Sequence, residues 1–304
     1  MTRFLVTGAR GMLGSDLVRA LRTRYPGATV LATDLPELNV LDLPALRAFV
    51  ARSRPEYILN TAAYTDVDKA ETDQKAAHAL NATAPENLAQ AAADVCARLI
   101  HYSTDHVFDG TGHSPWTEDS RMNPVNVYGR TKQLGDQAVS AYPNHLILRI
   151  QWLYGERRDR FTIMRDRKTF TPFIDQFGAP TWTRDIADMT LRLLQHGATG
   201  TYHYAYDDAG SWFDVYSHVK AVLGLDTELN GKESRDVRLP ARRPLYSVLS
   251  NKKLKDALGV ASLGSWRDRL TEFLLASTPS IQTPTMHPPD QPRPPHIQSA
   301  IGEP

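Results

Sequence analysis

The feature that most limits what this chain can fold into is a glycine loop near its start, Thr7-Gly8-Ala9-Arg10-Gly11-Met12-Leu13-Gly14. It follows a short apolar run and opens an amphipathic segment, so it predicts a strand, a tight turn and a helix in succession. Gly8 permits the turn, Gly11 lets the backbone approach a pyrophosphate, and Gly14 lets the helix pack closely on a sheet. The helix start that carries Arg10, Met12 and Leu13 presents free N–H groups and the positive end of the helix dipole to such an anion. Asp34 lies about 20 residues beyond the last glycine, where a carboxylate accepts hydrogen bonds from an adenosine ribose. Arg10 suits a 2′-phosphate instead, so NADPH and NADH both remain open. A glycine turn without ligand, and an Asp34 that is only a turn residue, are the bland alternatives.

Candidate strands at residues 3 to 7, 28 to 33, 56 to 60, 97 to 103 and 145 to 150 alternate with Ala- and Leu-rich helical patterns. That rhythm predicts an α/β fold, a Rossmann-type doubly wound parallel sheet, with residues 1–150 as the dinucleotide-binding domain. After residue 150, aromatic, Arg and turn residues interrupt the rhythm. Residues 151–276 are expected to form a smaller C-terminal substrate-binding lobe with some returns to the sheet. Residues 277–304 hold eight of the twenty prolines and no apolar period, and are expected to be a disordered tail.

Composition narrows the partners. With 35 basic and 34 acidic residues the formal charge is +1, which gives no field to gather nucleic acid or to coat an anionic membrane. Recognition of phosphate must then be local. One cysteine, Cys96, excludes an internal disulfide and a thiolate metal cluster, and sets a cytoplasmic expectation. The N-terminus runs into a strand without the pattern of a secretory signal, and no apolar run reaches the length of a membrane span. Ten histidines are scattered without a ligand spacing beside a carboxylate, so no metal is expected.

The chemistry points to Tyr128-Gly-Arg-Thr-Lys132, which places a phenol and an ammonium one helical turn apart. A free tyrosine has a pKa of about 10, and a fixed cation beside it lowers that value, which would make Tyr128 a usable proton donor near neutral pH. Ser103-Thr104-Asp105 ends the fourth strand, on the edge where such sheets bind ligands, and Thr104 supplies a hydroxyl to hold a substrate oxygen. An exposed Tyr/Lys helix face and a capping Ser/Thr cluster are the structural alternatives. Asp66, Asp68, Lys69 and Glu71 read as a solvated helix start. Asn81 reads either as a bond to a neighbouring strand that steadies the active site or as an ordinary polar helix residue.

Three runs, Asn60 to Glu71, Ser103 to Gly110 and Tyr128 to Lys132, together resemble the dTDP-4-dehydrorhamnose reductase family of extended short-chain dehydrogenases. Trp152-Leu-Tyr-Gly155, Asp175 to Thr181, Ser211-Trp-Phe213 and Arg243-Pro-Leu-Tyr-Ser247 agree, and the resemblance covers roughly residues 2 to 275. It implies Thr104, Tyr128 and Lys132 as the catalytic residues and Ala62, Ala63 and Tyr64 as cofactor neighbours. Thr104, Asp105, Trp152 and Arg243 fall in its substrate-facing motifs. It further implies reduction of the C4 keto group of a dTDP-linked 6-deoxyhexose by NADPH or NADH, and, by analogy with the superfamily, a homodimer. The chain departs from the family at His106, where tyrosine is usual, and at Gln151, where a small hydroxyl residue is usual. The segment between Gly155 and Asp175 is shorter and rich in Arg; Arg157, Arg158 and Arg160 suit either a diphosphate or a solvated basic loop. A ketoreductase for another nucleotide-deoxysugar, and a non-catalytic NADP-binding regulatory subunit of the same superfamily, are the rival implications.

Overall fold

A computed structural model describes residues 1–157 and 159–276. The proline-rich tail and Arg158 lie outside the described residues.

Six parallel strands form the central sheet: β1 (Arg3–Thr7), β2 (Thr29–Thr33), β3 (Tyr57–Asn60), β4 (Arg98–Thr104), β5 (His145–Ile150) and a sixth, Gly200–His203. Their order across the sheet is β2, β1, β3, β4, β5, Gly200–His203. Alternate residues of each strand point to opposite faces, and here both faces are covered. Phe4 and Val6 join Leu17, Leu21, Ile186 and Leu193 on one side, where helix α1 (Met12–Arg24) lies; Leu5, Ile58 and Leu99 join Leu46, Val50 and Leu88 on the other. That second layer comes from α2 (Leu43–Ser53) and from α4 (Ala84–Asp94), which follows a short α3 (Gln74–His78) and a turn of wider π-type winding. Burying a side chain such as Leu5 completely contributes about 1.5–3 kcal/mol, so this two-sided alternation favours the sheet at every turn of the chain.

Helix α5 (Val127–Ser140) begins at Asn126, whose side chain accepts a hydrogen bond from the Gly129 N–H at 2.7 Å. Helix α6 (Thr183–Gln195) packs on α1, and Gly200–His203 pairs in parallel with β5. Residues after 150 therefore build part of the Rossmann layer, because Ile186, Leu191 and Leu193 carry the apolar face that covers α1. The rest of 151–276 forms the lobe: two-residue strand pairs, then α7 (Trp212–Leu223), α8 (Lys252–Leu258) and α9 (Trp266–Ala276). A capping box between Ser211 and Asp214 starts α7, and Trp266 is wholly buried. Strand order reverses between β1 and β3, which opens a crevice at the carboxyl ends of the strands, facing the lobe.

Candidate active site

A cavity of about 920 Å³ occupies that crevice. Arg10 to Gly14 form one wall, Thr104, Asp105, Tyr128 and Lys132 lie at the strand ends, and Trp152 and Arg243 close the lobe side. The sequence-predicted groups thus converge, with three exceptions: Gly8, Asp34 and Tyr64 do not line the cavity.

The loop has the shape of an anion cradle. Gly8 has φ +68°, and a Cβ there would sit 2.7 Å from the Ala62 nitrogen. At Gly14 a Cβ would fall 2.3 Å from the Gly8 carbonyl oxygen. No side chain caps α1 and its first turn holds no acidic residue, so its leading N–H groups are free to take a phosphate. This backbone fits a dinucleotide's diphosphate. Asp34 accepts from the N–H groups of Arg10 at 3.1 Å and Leu35 at 3.0 Å, which ties the loop to the end of β2. The Arg10 guanidinium donates to the Leu35 carbonyl at 2.7 Å and pairs with Glu37. Ala62 and Ala63 line the cavity, whereas the Tyr64 ring packs with Ala70, Ala77 and Val127 and its hydroxyl reaches Asp73 at 3.4 Å. Asn81 holds both backbone groups of Tyr64, at 2.9 and 3.0 Å, and donates to Thr131 at 3.1 Å. It joins the loop after β3 to α5, the steadying role.

At the strand ends, Tyr128 and Thr104 line the same part of the cavity, and Thr104 donates to Asp105 Oδ1 at 2.9 Å. Burial pushes the Tyr128 phenol well above its ordinary range, against a smaller lowering by Thr104. This corrects the expectation of a phenol acidified by Lys132. The Lys132 ammonium position is instead turned inward, 2.6 Å from the Tyr102 carbonyl and 3.4 Å from His101 Nε2. Burial brings Lys132 down to about 8, partly offset by Asp136. Tyr128 is accordingly protonated in this state, the form a proton donor requires.

Arg243 is held on the cavity wall by a bidentate pair with Asp68, at 3.0 and 2.9 Å. Burial raises the Asp68 carboxyl, but the Arg243 bonds and the Ala241 N–H outweigh that and leave it below its ordinary value. Asp68 therefore ties the Rossmann body to the segment that carries Ala241 and Arg243, whereas Glu71, which accepts from the Val127 N–H at 2.8 Å, ties its turn to the start of α5 within the body. The solvated helix start expected for this run is realised at Asp66, which accepts from the Lys69 N–H at 3.0 Å, and at the exposed Lys69, which opens a short 3-10 turn. Trp152 has φ +46° and stacks on Trp212 with ring centroids 3.9 Å apart. Arg157 and Arg160 also line the cavity, Arg160 lying over the Trp212 ring at 5.4 Å.

Sequence reasoning quotes Trp212 only within the run Ser211-Trp-Phe213, without a role, and passes over Tyr216, Phe170 and Phe173; all four line the lobe side. Trp212 and Tyr216 stand one turn apart on α7, whereas Phe170 ends a two-residue strand and Phe173 lies at an isolated bridge beyond it, so no single period marks the four. Gln151 was noticed only as a departure; it is 1% exposed, and both amide atoms lack hydrogen-bond partners, as do Ser103 Oγ and Asp105 Oδ2. Such unsatisfied groups around one cavity fit a polar ligand. Among the described residues no cluster of His, Cys, Asp or Glu could hold a metal ion.

Fold and cavity define a Rossmann-type protein of the short-chain dehydrogenase/reductase class. The family model for the RmlD substrate binding domain matches residues 2–278, and the chain belongs to that family. It is 37% identical to a dTDP-4-keto-6-deoxy-D-glucose reductase of Streptomyces niveus, over 89% of this chain and 96% of that one. It is 39% identical to a dTDP-4-dehydrorhamnose reductase of Streptomyces griseus, over 89% and 92%. The solved dTDP-4-dehydrorhamnose reductase of Bacillus anthracis in complex with NADP superposes with a TM-score of 0.86 at 29% identity, covering 91% of this chain and 100% of that one.

Proposed function

We propose that this protein is an NAD(P)H-dependent reductase of the C4 keto group of a dTDP-4-keto-6-deoxysugar, converting dTDP-4-dehydrorhamnose to dTDP-L-rhamnose. The observation that carries the reading is the convergence of Thr104, Tyr128 and Lys132 on the cavity that the glycine loop walls. A nicotinamide dinucleotide held against the glycine loop would supply the hydride. Tyr128, kept protonated by burial, gives its hydrogen to the keto oxygen as charge develops there. Thr104 holds the same oxygen, and Lys132, one turn along α5, supplies the positive charge that stabilises the phenolate left behind. Ala62, Ala63 and the loop residues Gly11 to Gly14 hold the dinucleotide, with Asp34 and Arg10 at its adenosine end. Trp152, Asp105 and Arg243 face the nucleotide sugar. The same reading takes a homodimer as the assembly and the cytoplasm as the setting, and the near-zero net charge supports neither a nucleic-acid nor a membrane partner.

A second reading keeps the chemistry and changes the sugar, and the orphaned Gln151 amide at the cavity favours it. Purified protein with a panel of dTDP-4-keto-6-deoxysugars and either NADH or NADPH should oxidise the cofactor, with the product identified by NMR. Dinucleotide binding without turnover on any member would leave only the regulatory-subunit reading.

A further inference from the structure

Beneath the cavity, β3, β4 and α5 share a buried polar chain that proton delivery by Tyr128 does not use. Asn60 is its fixed end. Its Oδ1 accepts from the Ala62 N–H at 3.2 Å and from the Thr7 hydroxyl at 2.9 Å. Turning the amide over would set two donors against each other, so Nδ2 must be the atom facing His101 Nδ1 at 3.2 Å. His101 then accepts at Nδ1. It is 1% exposed, and burial holds it well below the ordinary imidazole range, so the ring is neutral with its one hydrogen on Nε2.

That hydrogen faces two groups, Lys132 Nζ at 3.4 Å and Asp136 Oδ1 at 4.0 Å. An ammonium has three hydrogens and no lone pair, so it cannot accept from His101, whereas a free amine can. Asp136 Oδ2 is held by Arg149 Nε at 3.0 Å, but Oδ1 is buried without a partner. A buried carboxylate oxygen left unpaired is costly, and His101 is the donor placed to relieve it.

We propose that His101 is a positioning residue with two partners for one hydrogen: it parks Lys132 as the free amine against the Tyr102 carbonyl, and it turns to Asp136 when Lys132 takes a solvent proton and extends into the cavity. The inference rests on the reading of Lys132 as the cation of a hydride-transfer site. Burial, partly offset by Asp136, brings Lys132 to about 8, close enough to neutrality for both forms to be reached. The ionisable groups packed around it are Tyr128 and Asp136 on α5, His101 on β4, Asp105 just beyond β4, and Arg149 on β5 behind Asp136.

The test uses the full chain without cofactor or nucleotide sugar. Long-range ¹⁵N NMR of the histidines should show His101 as the Nε2–H tautomer; an Nδ1–H or doubly protonated ring at pH 7 overturns the proposal. The ¹³Cε signal of Lys132, assigned by its loss in Lys132→Arg, should titrate at or below about 8. In His101→Gln, whose side-chain oxygen can accept from an ammonium, the ionisation constant should fall about tenfold or more, moving the midpoint up by about one pH unit. An unmoved midpoint also overturns it. If His101→Gln does not fold, the tautomer of the wild type decides alone. Neither measurement depends on turnover, so a failure of the reductase assay and a failure of this inference are separately visible.

Discussion

Of the three loop glycines, Gly11 separates ligand binding from folding. Its backbone has φ −68° and ψ 171°, which any residue adopts, and a Cβ there would meet one atom within 4 Å, the Gly8 carbonyl oxygen at 3.0 Å. Gly11→Ala should therefore fold: the restricted unfolded chain gains about 0.4–1 kcal/mol, against a displacement of a few tenths of an ångström. Gly14→Ala places its methyl 2.3 Å from the same backbone oxygen and 2.9 Å from Ala9 Cα, an overpacking that costs about 1–3 kcal/mol or more. The methyl at Gly11 instead stands where a diphosphate must approach the helix N-terminus. Losing one charge-assisted hydrogen bond there costs about 1.5–3 kcal/mol, roughly a 10- to 150-fold rise in Kd. Thermal unfolding and calorimetric titration with NADH and NADPH measure the two effects on the same samples. Unchanged affinity in a folded Gly11→Ala protein, or melting as damaged as that of Gly14→Ala, would refute the assignment of this loop as the dinucleotide cradle.

Tyr128→Phe should lower kcat by about 10²–10⁴-fold while dinucleotide Kd stays within about twofold, because only the transferable proton is removed; wild-type turnover would exclude Tyr128 as the donor. Leu17→Ala, at a fully buried position on α1, should cost about 2–5 kcal/mol in denaturant unfolding, with activity per folded molecule retained. Burial raises the Asp207 carboxyl, but bonds from Ser262, Lys255, Asn251 and the Leu263 N–H outweigh it and hold it at about 2. Its folded value lies below the unfolded one, so its stabilising contribution, reduced by solvent screening at this exposed site, is present above about pH 4 and is lost as pH falls toward 2. Asp207→Asn should lose that stability at neutral pH and flatten the acid dependence; equal acid curves for the two proteins would dismiss it.

Much of the body was legible in the residues. The five strands anticipated in the first half lie within one residue of their observed ends, because both-face burial leaves short continuous apolar runs between amphipathic helices. The glycine spacing announced a strand, a turn and a helix, and Gly8 and Gly14 are glycines for the steric reasons that spacing implied. The lobe was less readable. Its strand pairs are two residues long, too short to show a period, and its helix α6 belongs to the sheet of the first half.

Local order in the chain determined which elements form and which chemical groups stand at their ends: a phenol and an amine one turn apart on a helix, a hydroxyl closing a strand, a bare helix start. Only the tertiary structure decided their electrostatic states. Lys132 faces a carbonyl and a histidine, Tyr128 is a buried neutral acid, and Arg243 is committed to Asp68, each through partners between 30 and 175 positions apart or through solvent exclusion by the whole fold. Spacing along a helix sets direction and reach, whereas a proton's affinity depends on the dielectric and charges around it, and those are properties of the packed molecule.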